Sequence, residues 1–163
     1  MVAIEKYREK IKSLQEAKKE IDHLKAEGGK IVFTNGCFDI LHPGHVRYLY
    51  HASELGDYLI VAVNSDRSVR ALKGNKRPVM PQNERAELLA AIEFIDTVVI
   101  FYEDTPEEVI RYLLPDILVK GEDWKEEDII GADVVKGAGG EVGRIPFISG
   151  FSSSKIIKKI KGN

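Results

Sequence analysis

The 163-residue chain has one cysteine, Cys37, so no disulfide and no thiolate cluster can form within it. It has no apolar run near the roughly 18 residues that a membrane span needs. It has no surplus of either charge: 24 lysines and arginines face 26 aspartates and glutamates, for a net charge of −2. No global basic field therefore recruits nucleic acid or a membrane surface. The amino terminus lacks the apolar stretch of a secretory signal and carries Glu5, Lys6, Arg8, Glu9 and Lys10 instead. Glutamine is confined to Gln15 and Gln82 while lysine, glutamate and isoleucine abound, a balance shared with heat-adapted proteins. These absences leave the expectation of a cytoplasmic protein with small-molecule partners, neither nucleic acid nor membrane.

What is present is a globular composition, 44% apolar, in a length that suits one ordinary domain with its own core. Residues 4–27 read as one amino-terminal helix, with Ile4, Tyr7, Ile11, Leu14, Ile21 and Leu24 as its apolar stripe. Gly28 and Gly29 stop it. We therefore divide the chain into an amino-terminal helix, residues 1–29, and a main domain, residues 30–163. The helix is expected to pack on its own domain or against a second copy in a homodimer.

Beyond it, strands are expected at 30–35, 58–64, 97–101, 116–120 and 141–147. Helices are expected at 43–56, 81–92, 105–114, 131–138 and 152–161, the third of these capped by Thr105. Residues 65–80 read as a polar, basic loop marked by Gly74 and Pro78. Strands alternating with helices predict an α/β fold: a doubly wound, Rossmann-like sheet of five parallel strands with an added amino-terminal helix. The strands are short continuous apolar runs, as expected when helices cover both faces. Ligands of such a sheet bind at the carboxyl ends of strands, near the switch in strand order.

The residues with the most chemistry do follow strand ends. Thr34, Asn35, Gly36, Cys37, Phe38 and Asp39 follow the first strand, and His42, Pro43, Gly44 and His45 open the next helix. The two histidines are three apart, so their rings can face one way. Free backbone N–H groups and the positive helix end lie beside them. Gly44 lets a phosphate approach the backbone. Such a clamp suits charge developing on a transferring phosphoryl group. A histidine pair can also hold a metal, but no third ligand follows at a sensible spacing, so no metal site is expected. Cys37 reads as a small buried filler.

Three further groups follow later strand ends. Ser152, Ser153 and Ser154 begin the last helix, where they can hold phosphate oxygens or simply cap it. Lys73 and Lys76 lie on the basic segment and can close on a triphosphate, although such a segment is also an ordinary solvated loop. Gly121, Asp123 and Trp124 follow the fourth strand; a carboxylate and the only tryptophan there suit ribose hydroxyls and a base. Arg85 opens a helix and can reach a nucleotide or pair with Glu84 or Glu87.

The string Phe38-Asp39-x-x-His42-x-Gly44-His45 resembles the signature of the nucleotidyltransferase superfamily with HxGH motifs. The pattern is most similar to the adenylyltransferase domain of the bifunctional enzyme that makes ADP-heptose. Residues 34–46, 55–66, 72–74, 77–79, 103–106, 114–121, 139–142 and 156–160 match it in order. The resemblance departs at one place: some cytidylyltransferases carry an arginine where this chain has Phe147, which counts against a glycerol-phosphate enzyme. It implies a nucleotidyltransferase acting on ATP, accompanied by Mg²⁺, with D-glycero-β-D-manno-heptose 1-phosphate as acceptor. The products would be ADP-heptose, for lipopolysaccharide core, and pyrophosphate.

It further implies His42, His45 and Lys73 as catalytic residues. Thr34, Asn35, Gly36, Phe38, Asp39, Gly44, Lys76, Arg85, Gly121, Asp123, Trp124 and Ser152 to Ser154 would bind the nucleotide. Asp39 is implied as an organiser of the site or an acceptor contact. The relatives carry a sugar kinase that 163 residues cannot hold, so a separate heptose kinase is expected to supply the acceptor. Alternatives are a cytidylyltransferase, an adenylyltransferase for glycerol 3-phosphate or flavin mononucleotide, and a catalytically silent nucleotide sensor.

Overall fold

The computed structural model describes residues 5–146 and 148–162. Five strands form one sheet: β1 (Ile31–Gly36), β2 (Tyr58–Asn64), β3 (Thr97–Phe101), β4 (Ile117–Gly121) and β5 (Glu141–Ile145). Their order is β3-β2-β1-β4-β5 and every pairing is parallel. The chain therefore winds outward from β1 in one direction, then restarts beside β1 in the other. The switch lies between β1 and β4. The fold is the α/β, doubly wound sheet that the alternation predicts.

The continuous apolar runs are explained by two cores. Alternate residues of a strand point to opposite faces. Ile31 and Phe33 of β1 join one core with Ile60, Ala62, Val99, Phe101 and Leu118. Val32 joins the other with Leu59, Val61, Val63, Val98 and Val119. Helices α1 (Leu14–Ala26), α5 (Glu107–Leu113) and α6 (Ala132–Gly137) cover the first face with Ala17, Ile21, Val109, Ile110, Leu113 and Val135. Helices α2 (Pro43–Ser53) and α4 (Gln82–Ala90) cover the second with Leu49, Ala52, Ala86, Leu89 and Ala90. Burying one such side chain stabilises the fold by about 1.5–3 kcal/mol.

The strand starts carry a repeated device. The carboxylates of Asp57, Asp96 and Asp116 accept the backbone N–H of Lys30, Leu59 and Ile31, at 2.7–2.8 Å. Each holds the beginning of a neighbouring strand.

The amino-terminal region differs from a single helix. A 3-10 turn at Lys6–Lys10 is followed by extended Ile11, which bridges to Val98 at the sheet edge. Only then does α1 begin. Ser13 caps it by accepting the Glu16 N–H, and the Glu16 carboxylate accepts the Ser13 N–H in return. That reciprocal cap outweighs the apolar stripe running through it. Helix α1 packs within its own chain. The expected stripe residue Ile4 lies outside the described residues.

The basic segment also differs. Residues 66–73 form α3 (Asp66–Lys73), capped by Ser65 accepting the Ser68 N–H, with Ser68 and Val69 buried. The charges of this segment line the outside of a helix that two buried residues anchor. The expected Thr105 cap is absent, because α5 starts later, at Glu107, with Pro106 before it. The last strand ends at Ile145, and Phe147 lies outside the described residues. The last helix, α7 (Ser153–Lys161), begins after Ser152. Among the described residues, no helix is long and apolar enough to cross a membrane.

Candidate active site

The carboxyl ends of β1 and β4 open into a cavity of about 490 Å³. Helices α2 and α7 both begin at its wall. The sequence builds the first of these starts from His42. Its extended backbone places it just before α2, and its Nδ1 accepts the His45 N–H at 3.4 Å. The ring's own proton therefore sits on Nε2. Pro43 follows at the first helical position, where its missing N–H costs nothing.

The two imidazoles stack, with centroids 3.7 Å apart and planes 20° from parallel. Phe151 stacks on the outer side of His42 at 6.1 Å, and the Arg47 guanidinium lies 5.3 Å from the Phe151 ring centre. Phe38 meets His45 edge-on at 5.5 Å. The result is a ladder of Arg47, Phe151, His42 and His45. Gly44 makes it possible: a Cβ there would lie 2.9 Å from the His42 ring and 3.0 Å from the Phe151 Cβ.

Burial pushes His42 below its usual range. Burial lowers His45 more, to about 4, helped by neighbouring His42 and Lys73 and opposed by Asp39. Both rings are thus neutral at pH 7. His45 Nδ1 and Asn35 Oδ1 are buried without a hydrogen-bond partner among the described residues.

Asp39 organises the loop between β1 and α2. Its carboxylate accepts the Val79 and Met80 N–H groups at 2.8 and 3.0 Å and the Arg77 Nε–H at 2.7 Å. Burial acts to raise its pKa, but these donors outweigh burial and hold it below the usual range. The Ser153 hydroxyl donates to the Asp39 carbonyl. One residue so ties together the loop, the segment before α4 and the start of α7. On either side of it, Phe38 and Ile40 hold φ of 48° and 57°. Such left-handed backbone costs about 1–3 kcal/mol per non-glycine residue.

The wall brings together Asn35, Gly36, Phe38, Asp39, His42, Gly44 and His45 with Lys73, and from the far side Gly121, Asp123, Trp124 and Ser152 to Ser154. Ser152 caps α7 by accepting the Lys155 N–H at 3.0 Å. Gly121 lets Asp123 fold back, since a Cβ would lie 2.5 Å from Asp123 Oδ1.

Three residues expected at the nucleotide stand elsewhere. Thr34 is buried behind the wall, its hydroxyl bonded to Tyr48 Oη at 2.8 Å and to the Val119 carbonyl at 3.1 Å. Arg85 is fully buried, and its guanidinium is spent on the carbonyls of Met80 and Cys37 and on Asp66. Its reading as a nucleotide contact is replaced by a scaffold role beneath the β1–α2 loop. Lys76 is exposed and off the wall.

The wall also holds residues to which the motifs assigned no ligand role: Tyr48, Phe151, Lys120 and Cys37, the last expected as a buried filler. Burial raises Tyr48 to about 12 and pushes the Cys37 thiol up, so both stay protonated. Lys120 left one signal, as the single charge in the apolar run of β4. Among the described residues, no group of three or more His, Cys, Asp or Glu is arranged to hold a metal ion.

Known proteins are similar to this chain. A family model described as cytidylyltransferase-like matches residues 33–159. The chain is 54% identical over 151 residues to a protein named bifunctional protein HldE of Citrifermentans bemidjiense, covering 93% of this chain and 31% of that one. It is 55% identical over 155 residues to the protein of that name in Campylobacter jejuni subsp. doylei, covering 95% and 32%. The chain thus spans about a third of the length of these relatives.

Among solved structures, a lipopolysaccharide core biosynthesis protein of Thermoplasma volcanium superposes with a TM-score of 0.61 at 29% identity, covering 77% of this chain and 100% of that one. A pantoate-beta-alanine ligase of Francisella tularensis, solved with beta-gamma ATP and beta-alanine, superposes at 0.63 with 14% identity, covering 93% and 76%. That likeness is one of fold alone.

Proposed function

This chain belongs to the cytidylyltransferase-like family, and from that premise we propose that it transfers the adenylyl group of ATP to D-glycero-β-D-manno-heptose 1-phosphate. The products are ADP-heptose and pyrophosphate. One observation carries the chemistry: two helix amino termini and a stacked imidazole pair open on one cavity. The ordered matches along the chain and the names of its relatives support the choice of nucleotide and acceptor.

The acceptor phosphate is already anionic at neutral pH, so the reaction needs no general base. One of its oxygens attacks the α-phosphorus in line. The bond from that phosphorus to the bridging oxygen breaks, and the electron pair leaves with pyrophosphate. The protein has to align two anions that repel each other and to meet the charge that shifts to the bridging oxygen. His42 and His45 stand at the α-phosphate and bridging oxygens. His42 presents an Nε2–H donor there. Lys73 and the start of α7 receive the β- and γ-phosphates. Asp123 and Trp124 take the ribose and base.

Mg²⁺ would arrive on the triphosphate, held by phosphate oxygens and water, and would neutralise part of its charge. Asp39 offers it no free oxygen, because both are engaged by Arg77, Val79 and Met80. The acceptor has to be made by phosphorylating a sugar at its anomeric hydroxyl, a kinase step separate from this cavity.

Pyrophosphate release tests the reading. ATP and CTP are each paired with the heptose 1-phosphate, glycerol 3-phosphate and flavin mononucleotide. Release is expected with ATP and the heptose phosphate alone. Preference for CTP, or for another acceptor, overturns it.

A further inference from the structure

One cation on the cavity wall has no role in the steps above. Lys120 lies near the carboxyl end of β4, beside the sheet's switch point. Among the described residues its ammonium makes no hydrogen bond and no ion pair. Its neighbours are the Trp124 ring, with Nζ 5.5 Å from the centroid, and the Cys37 thiol and Asp123 nearby. Other lysines of this chain have found anions: Lys18 bonds Asp22, Lys25 lies by Asp116 and Lys30 bonds Glu141.

Burying an ammonium without an acceptor is costly, and the cost appears as a pKa drawn down by burial to about 8, against a smaller pull upward from Cys37 and Asp123. An apolar side chain would fill this position in β4 without that penalty. Among the described residues nothing supplies that partner, and a ligand in the cavity can.

Lys120 shares the cavity wall with the histidines and Lys73, flanked there by Cys37 and Asp123. The triphosphate tail already has Lys73 and the start of α7. We propose that Lys120 is a substrate-binding residue whose ammonium takes a phosphoryl oxygen, a second lysine on the cavity wall besides Lys73. The proposal rests on the nucleotidyl-transfer reading for its ligand class. The oxygen comes from the α-phosphate of the nucleotide or from the acceptor's phosphate.

The test compares wild type with Lys120→Met and Lys120→Arg. Calorimetry gives Kd for ATP and for inorganic phosphate, and steady-state rates give KM for the sugar phosphate, each from pH 6.5 to 9.5. Lys120→Met is expected to weaken one ligand at least tenfold with Tm unchanged or raised. A loss confined to ATP assigns the oxygen to the nucleotide; a loss confined to the sugar phosphate and inorganic phosphate assigns it to the acceptor.

Wild-type binding of that ligand should fall as pH rises through about 8, where the free ammonium loses its proton. The fall should vanish in Lys120→Met and move upward in Lys120→Arg. Unchanged constants in Lys120→Met overturn the proposal, as does a wild-type pH profile in both variants. Binding that depends on Lys120 in a protein that releases no pyrophosphate with any acceptor would remove the transfer reading and leave this one standing.

Discussion

Burial disfavours a proton on either stacked imidazole, and at His45 the neighbouring His42 adds to the effect. This has a consequence for stability. Folding favours the neutral form of His45, whose pKa falls from 6.5 to about 4. Above pH 6.5 the ring is neutral folded or unfolded. Between 6.5 and 4 the unfolded chain takes the proton first, so stability declines as pH falls through that window. Denaturant melts should therefore show a steeper acid loss in wild type than in His45→Gln; equal slopes would refute the assignment. At pH 7.5 the same variant should keep its fold and lose roughly 100-fold or more in kcat, the cost of one donor to developing charge. ATP should raise the His45 titration midpoint, read from the imidazole proton resonances. At this scale the spacing after strand ends singled out His42, Gly44, His45 and the three serines, and the structure brings them to one cavity wall. Arg85 misled, because an arginine at a helix start looks the same whether it reaches a ligand or is spent beneath the site's own loop. Phe151 carries its meaning only through neighbours distant in sequence, and Lys120 does so in part, through Cys37.

Helix α2 illustrates how an element can trade packing for function. Glycine near a helix start is a weaker helix former than alanine by about 0.5–1 kcal/mol. Yet an alanine Cβ at Gly44 would press on the His42 ring and on Phe151. Gly44→Ala should therefore leave Tm unchanged or raise it while lowering kcat by about tenfold or more. Loss of stability in parallel with activity would contradict the argument. Element boundaries were less legible than elements. Tyr7, Ile11, Leu14, Ile21 and Leu24 of the stripe do pack on the cores, but the Ser13 and Glu16 cap breaks it into two pieces, and a capping box inside an apolar pattern is easily passed over. Helix α3 was hidden by its own lysines and arginines, because only Ser68 and Val69 mark its buried side.

The alternation of apolar strands and helices sufficed to name an α/β sheet. Strand order was not legible, because parallel strands covered on both faces share one composition and nothing local says which lies beside which. The order matters beyond architecture. Strand β1 pairs with β4, and the Ile31 N–H meets the Asp116 carboxylate across 85 residues of chain. Half of the cavity wall is thus made long after the histidine motif has left the ribosome. Long-range parallel pairing of this kind is slow to form. During synthesis the β1–β2–β3 half can pair early, with its histidines in place but no opposite wall. Stalled nascent chains ending before β4 should not retain ATP, whereas chains with α7 outside the exit tunnel should. The newborn protein would then pass through an interval in which its phosphate-binding motif is folded and mute, released into activity once the chain from β4 onward has emerged.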